Sequence, residues 1–433
     1  MSFENILHNR KIADRFDYYI DCFMNKQDLT ERNIGLEPSF LIHGPMGIGK
    51  SFMLEEFIDA VEFPVYDISG DIDRETFRLL DEVEERRGFH IIAIDDLDLM
   101  LEYAGRDDIR YFMCRLHRLT QSGNVFVIAT AEEEKPVIEI ARRYGLFMDR
   151  FELKRPTVKE ASNIIDNLSL KKNLKLEVLL DDLGKVYESH TFKAMEIYID
   201  RMASRAFRDA GDADGSLTIS RENVSRELND YYFLPDHDRD LFTTQNVRSA
   251  AVHEAGHILV AEYFQPECIA FAIIRKHGDA DDCEGKTVRW CEVLQPAIAE
   301  IPTCLGGAAA VETITGEAAS GCGGDFEKAA LYARCDVSVS GLAGFDYLEI
   351  APTYDENPEA DKVAINQKAR ERIKKDYSHA KRIIEKNRAL LDALSEHLFE
   401  HGIIYASEIR RIIGEYGMEY LDGDSPVLIY DSI

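Results

Sequence analysis

Ser39-Phe40-Leu41-Ile42, followed by Gly44-Pro45-Met46-Gly47-Ile48-Gly49-Lys50-Ser51, decides the fold of the first half of the chain. The second stretch fits G-x-x-x-x-G-K-[ST], the first reads as a short apolar strand, and Phe52 to Ala60 reads as a helix. Strand, glycine loop and helix in that order are the context a phosphate-binding loop requires. The glycines let backbone N–H groups approach phosphate oxygens, and the helix N-terminus adds positive potential. Lys50 is expected on the β- and γ-phosphates of ATP, and Ser51 on Mg²⁺. A glycine-rich turn without nucleotide is the plainer alternative, and the Lys-Ser pair with the right flanks argues against it.

Outward from the loop, further apolar runs read as strands: Val65-Tyr66-Asp67-Ile68, His90 to Ile94, and Asn124 to Thr130. Continuous apolar strands alternating with helical stretches imply a buried parallel sheet with helices on both faces. The His90–Ile94 run ends in Asp95-Asp96. An apolar strand closed by an acid is the pattern in which Asp95 holds Mg²⁺ through water; a strand-ending turn is the alternative. Residues 156–232 read as helices, with Thr157 a plausible N-cap after Arg155-Pro156. Gly211 to Gly215 reads as a turn, and Pro235-Asp236-His237-Asp238 as part of a linker.

The second half carries His253-Glu254-Ala255-Gly256-His257, an H-E-x-x-H pattern. On a helix this spacing stacks both imidazoles on one face, within reach of one Zn²⁺ ion. Glu254 is then placed to act as general base on a zinc-polarised water. The flanks, Ser249 to Val252 and Ile258 to Ala261, suit a partly buried helix. A chance match on a surface helix is the alternative. Amphipathic helices follow in residues 360–419, with Ile383, Ile384, Leu390, Leu391, Leu394 and Leu398 at apolar positions.

Composition bounds the rest. At 433 residues the chain has room for two to three domains. A formal net charge of −29 argues against general nucleic-acid or anionic-membrane binding. No apolar run long enough to span a membrane is found, residues 1–31 are too charged for a signal peptide, and no membrane insertion is expected. The eight cysteines form no C-x-x-C pair, so reduced thiols in a cytoplasmic protein are expected; Cys283, Cys291, Cys304 and Cys322 have no metal-ligand spacing.

Taken together, the glycine loop, the Asp95-Asp96 strand end and the H-E-x-x-H helix resemble the FtsH family of ATP-dependent zinc metalloproteases over most of residues 36–433. The resemblance implies an α/β P-loop AAA+ module, a parallel sheet with flanking helices and a helical lid, followed by a mainly α-helical zinc metallopeptidase domain. The expected boundaries are an N-terminal helical segment 1–35, the nucleotide-binding core 36–155, the lid 156–232, a linker 233–247 and the peptidase domain 248–433. Leu305 to Glu312 is similar to the family's Gly-Gly helix, and Thr315 to Phe326 to its following loop and helix. That similarity puts Asp325 on the third zinc-ligand position, a role it would share with N-capping after Gly323-Gly324. It also implies hydrolysis of peptide bonds in polypeptide substrates, driven by ATP hydrolysis in a homohexameric ring.

The chain departs from that family mainly in the nucleotide half. Asp96 stands where the family has glutamate, and the shorter side chain is expected to slow hydrolysis. Ala131 replaces a sensor asparagine, and Ala141 to Arg150 only loosely resembles the arginine-finger region, with Arg142 and Arg143 as candidates beside a plain surface role. The family's aromatic pore loop has no counterpart, since Phe77 lies in a helix-like stretch. In place of the family's membrane-spanning N-terminus, residues 1–35 are expected to form a short helical segment. In the peptidase half, Lys276 to Gly285 forms a divergent insert. Two other readings follow from these departures: a peptidase whose nucleotide module only assembles the ring, and a nucleotide-dependent chaperone or scaffold.

Overall fold

The computed structural model describes residues 9–210, 217–233, 244–275, 285–290, 297–317, 322–338 and 359–426. The expected turn 211–215, the linker stretch 235–238, most of the insert 276–285, and Cys283 and Cys291 lie outside the described residues. The chain divides into two compact units: residues 1–171 with 187–200, and residues 172–186 with 201–433.

In the first unit, β1 (Ser39–His43), β2 (Val65–Ile68), β3 (His90–Ile94), β4 (Val125–Ala131) and β5 (Asp149–Glu152) make one sheet. Its order is β2-β3-β4-β1-β5, and every pairing is parallel. The apolar runs of the central strands explain themselves by a period of two with both faces buried. Leu41, Ile92, Ile94, Val127 and Ala129 join one core with Leu80, Met113 and Leu116 from the helices. The alternate residues Phe40, Ile42, Ile91, Ala93, Phe126 and Ile128 join the other, with Met53 and Phe57. Ile12, Phe16, Tyr19 and Phe23, along one face of the helix Lys11–Met24, complete that second core. β5 is a fifth strand beyond those the sequence pattern displays. Asp149-Arg150-Phe151-Glu152 is an edge strand with no fully buried residue, so it carries no apolar run.

Residues 156–232, expected from sequence to be helices, are not helical throughout: β6 (Leu174–Leu176) and β7 (Leu217–Ile219) pair in parallel. Three-residue strands are too short to stand out from helical periodicity. Both belong to the second unit. That unit is built on the helix Thr244–Phe264, which packs against the helices Ala297–Thr315 and Arg388–His401. Ala250, Ala251, Ala255, Ile258, Leu259, Val260, Ala261, Tyr263 and Phe264 are all buried, so the helix is apolar on more than one side and sits inside the core. The helices Glu359–Lys386 and Gly323–Ser338 add a further layer through Ile365, Ala369, Ala329 and Ala333. A small antiparallel sheet, β8 (Ile269–Ile274), β9 (Gly285–Arg289) and β10 (Ile403–Tyr405), runs β10-β8-β9, with β8 fully buried and β9 at one edge.

Arg221, at the start of the helix Arg221–Tyr232, locks this unit together. Its guanidinium donates to both Glu408 carboxylate oxygens and, at 2.5 Å, to Ile403 O, and lies 5.0 Å from the Tyr405 ring centre. Burial alone would raise the Glu408 carboxyl; hydrogen bonds from His397, Arg221 and the Tyr405 N–H outweigh it and bring the pKa down to about 2. A carboxylate with a depressed folded pKa stabilises the fold above its unfolded value near 4.5 and loses that contribution as pH falls towards 2. Arg221→Met is therefore expected to cost about 2 kcal/mol at pH 7, below the fully buried limit because both side chains retain some exposure. The gap to wild type should narrow below pH 4.5, where wild type loses the same contribution; urea unfolding at pH 7 and pH 3 measures both.

Candidate active site

The glycine loop lies at the C-terminal end of β1, and Asp95 follows the C-terminal end of β3, the usual ligand edge of a parallel sheet. Gly44 has φ +147°, and a Cβ there would come within 2.4 Å of Leu153 O, so only glycine fits. The helix Lys50–Ala60 starts at the loop's lysine. Lys50 is buried, and its Nζ donates to Gly44 O at 3.0 Å and Pro45 O at 3.3 Å, against the inner side of the loop. Ser51, Gly47, Ile48, Gly49, Pro45 and Met46 complete the loop at the positions the motif requires.

Thr130, one residue before Ala131 at the end of β4, ties the two acids together. Its hydroxyl donates to Asp95 Oδ1 at 2.5 Å and accepts from the Asp96 N–H at 2.8 Å. Asp96 itself sits at φ +51°, a left-handed conformation that aspartate tolerates. Burial and the neighbouring Asp95 push its carboxyl upward, while Lys50 pulls it down. Asp67 is raised by burial and by the same Asp95. Acids that disfavour one another's charge are a fitting seat for Mg²⁺, which relieves that repulsion. Arg142 and Arg143 lie in a short 3₁₀ turn, Arg142–Tyr144, and Phe77 lies in the helix Arg74–Glu85.

The second unit brings His253, His257 and Asp325 together. His253 Nε2 is 2.9 Å from Asp325 Oδ2 and 3.0 Å from His257 Nε2, and His257 Nε2 is 3.2 Å from Asp325 Oδ2. Ligand atoms about 2.05 Å from a tetrahedral Zn²⁺ stand about 3.3 Å apart, so these separations fit one ion. Among the described residues this is the one cluster of three such side chains able to do so. Burial alone would raise Asp325, yet hydrogen bonds and charge from His253 and His257 hold its carboxyl well below the usual carboxylate range. Burial pulls His257 down, but Asp325, Glu254 and the Thr303 carbonyl carry it upward overall. Asp325 lies in the first turn of the helix Gly323–Ser338, inside the helix and not at its N-cap.

Several supporting groups have no signal in the sequence. His257 Nδ1 lies 2.7 Å from Thr303 O, which fixes that nitrogen as the donor and leaves Nε2 for a metal. His253 Nδ1 faces Cys322 Sγ at 3.6 Å. Burial and the charges of Asp325 and Glu254 push that thiol up to about 11, so it stays protonated at neutral pH. Glu254 is 4% exposed, and its Oε2 accepts from Thr287 Oγ1 at 2.6 Å. Thr287 lies on β9 opposite Ala272 of β8, far from the motif in sequence. A pattern search finds His253 and His257 because they share a helix; it does not find partners that only the tertiary fold delivers.

Comparison with known proteins agrees with this division. The model of the ATPase family associated with various cellular activities (AAA) matches residues 40–155, and that of Peptidase family M41 matches residues 240–412. The ATP-dependent zinc metalloprotease FtsH 2 of Phytoplasma mali (strain AT) is 22% identical over 407 residues, covering 89% of this chain and 59% of its own length. The ATP-dependent zinc metalloprotease FtsH of Mycoplasma genitalium is 24% identical over 423 residues, covering 90% of this chain and 59% of its own. That of Mycoplasma pneumoniae is 22% identical over 440 residues, covering 94% and 61%. The chain thus spans about three-fifths of the length of these relatives. Among the described residues, no helix is long and apolar enough to cross a membrane. With an AAA ATPase module followed by an M41 peptidase domain, and with relatives of that kind along some nine-tenths of its length, the chain belongs to the FtsH family of AAA+ zinc proteases.

Proposed function

We propose that the protein is an ATP-dependent zinc metalloendopeptidase that cleaves unfolded or soluble polypeptides. The observation that carries this reading is the triad His253, His257 and Asp325 at tetrahedral-edge separations, with the Glu254 carboxylate held beside it by Thr287. The two imidazoles and one carboxylate would hold Zn²⁺, which when bound supplies Lewis acidity to a scissile carbonyl and acidifies a water. His257 and Asp325 are oriented for that by Thr303 O and by the first turn of the Gly323–Ser338 helix. Glu254 takes a proton from the attacking water and passes it to the leaving amine, acting first as base and then as acid. Thr287 donates to one oxygen of that carboxylate and so positions it.

In the first unit, Gly44 to Ser51 would cradle the phosphates of ATP, with Lys50 as counter-charge and Asp95 and Asp96 facing Mg²⁺. Assembly into a ring of identical chains is part of the reading, as the resemblance to the FtsH family implies. A reducing, cytoplasmic setting suits the free thiols of Cys22, Cys114, Cys268, Cys304, Cys322 and Cys335.

Purified protein incubated with an unfolded protein should cleave it, lose cleavage on chelation, and regain it with Zn²⁺. The same assay with ATP, a non-hydrolysable analogue, or neither separates a motor from an assembly cofactor. Asp96 and Ala131 favour a slow motor, in which case the analogue supports most of the ATP-stimulated rate. No cleavage under any of these conditions rules out the peptidase reading.

A further inference from the structure

β9 carries more than the threonine that holds Glu254. A Cβ on Gly285 would stand 2.5 Å from Glu254 Oε1, and Thr287 Oγ1 donates to Glu254 Oε2 at 2.6 Å. Residues two apart on a strand share a face, so Arg289 continues the face of Gly285 and Thr287 that meets the helix Thr244–Phe264. The register agrees: Ile269 and Ala272, the partners of Arg289 and Thr287, belong to one core. Arg289 is half-buried, and its guanidinium makes no hydrogen bond or ion pair among the described residues. Lys328, three residues after Asp325 on the helix Gly323–Ser338, is exposed and equally free. Both cations act on Cys304, the residue after the Thr303 whose carbonyl holds His257. Burial pushes that thiol up to about 11; Asp325 adds to the rise, Lys328 pulls against it, Glu300 adds and Arg289 pulls. Glu300, in the first turn of the helix Ala297–Thr315, pairs with neither cation. The chain has 80 acids for 51 bases, so two cations left unpaired beside the metal triad are not short of possible partners.

Resting on the reading of the triad as a peptidase centre, we infer that Arg289 and Lys328 form a cationic substrate subsite, which selects polypeptides bearing an aspartate or glutamate about two residues from the cleaved bond. β9 is an edge of its sheet, so an extended chain laid along it meets unpaired backbone groups. Arg289 stands two residues, about 7 Å, along the strand from the Thr287 that holds the general base. Alternate side chains of an extended substrate point to the same face, so the residue two positions from the bond at Glu254 comes over the guanidinium. The planar fork of Arg289 takes a carboxylate through two N–H groups, and Lys328 adds a point charge on a flexible stem from the helix side. Neither residue belongs to the donor set, so the subsite acts on choice of substrate and not on metal binding.

The test gives the full chain, with Zn²⁺ and Mg·ATP, a set of quenched fluorescent peptides that share one cleaved bond, mapped by mass spectrometry. The set carries Glu, Gln or Lys at each of the three positions on either side of that bond. A charge-assisted contact to a carboxylate, discounted for partial exposure, corresponds to about tenfold in affinity. Wild type should therefore prefer Glu to Gln about tenfold in kcat/KM at one position, through KM, and the preference should shrink as salt is raised to about 1 M. The double variant Arg289→Gln with Lys328→Gln should bring that ratio to about one, and Arg289→Glu with Lys328→Glu should turn the preference to Lys. Glu and Gln peptides cleaved by wild type within twofold of each other at every position overturn the inference while leaving the peptidase reading intact. A Glu preference that survives in the double glutamine variant also overturns it. So does a double variant that loses the Glu and Gln peptides equally, since that is how merely structural residues behave. No cleavage of any peptide or unfolded protein by wild type overturns the peptidase reading, and this inference with it.

Discussion

Glu254→Gln lowers the rate of peptide hydrolysis about a thousandfold while leaving metal content at the wild-type level. The carboxylate is 4% exposed, so it is not replaced by bulk solvent as a proton acceptor. One of its oxygens accepts from Thr287 Oγ1 at 2.6 Å, which holds the carboxylate in place. Glutamine preserves the size of the side chain, and its amide oxygen still accepts the Thr287 hydroxyl. What it loses is basicity, so the variant isolates proton transfer from packing. The candidate metal donors are His253, His257 and Asp325, none of which the substitution touches. Metal analysis per chain and initial rates on an unfolded protein give the two readouts. A variant that keeps more than about a tenth of wild-type activity removes Glu254 from the role of general base.

What the sequence revealed and what it did not divides by range. The glycine loop, the strand ending in Asp95-Asp96 and the pair His253 and His257 are local: their spacing alone places them on a loop, a strand end and one helix face. The central strands were legible because both faces of β1, β3 and β4 are buried and their residues form unbroken apolar runs. β5 escaped because Asp149, Arg150 and Glu152 leave Phe151 as the one apolar residue of this edge strand, a composition that resembles a surface loop. Asp325 came from resemblance, since nothing ties it by spacing to His257, 68 positions earlier; the fold brings their atoms to 3.2 Å. Thr287, Thr303 and Cys322 escaped for the same reason, because a threonine, a backbone carbonyl and a thiol carry no motif. Thr130 shows a subtler case. Ala131 drew attention as an altered sensor position, yet the residue before it is the one that binds both Asp95 and the Asp96 N–H.

Gly307→Ala removes most of the metal, and Gly256→Ala, on the helix it faces, removes stability instead. The helices Thr244–Phe264 and Ala297–Thr315 touch backbone to backbone. A Cβ on Gly256 would stand 2.4 Å from Gly306 O and 2.6 Å from Ala310 Cβ. The first of these is main chain and cannot yield without separating the helices, so the expected cost is about 3 kcal/mol. One residue further along, a Cβ on Gly307 would stand 2.5 Å from both Cε1 and Nε2 of His253. A side chain can yield where a backbone cannot, and the ring that yields here carries a candidate donor atom. His253 Nε2 is 2.9 Å from Asp325 and 3.0 Å from His257, so any retreat takes it out of the set and leaves two donors. Zinc affinity should fall more than about a hundredfold, since even displaced supporting groups cost ten- to a hundredfold. Gly324→Ala is the control: it adjoins Asp325, yet nothing lies within 4 Å of its added methyl group. Zinc per chain and thermal melting, measured on all three variants, should give loss of metal in Gly307→Ala, loss of stability in Gly256→Ala, and neither in Gly324→Ala. Full zinc content in Gly307→Ala would mean that the His253 ring can retreat without leaving the metal, and that the contact between these two helices does not set the donor geometry.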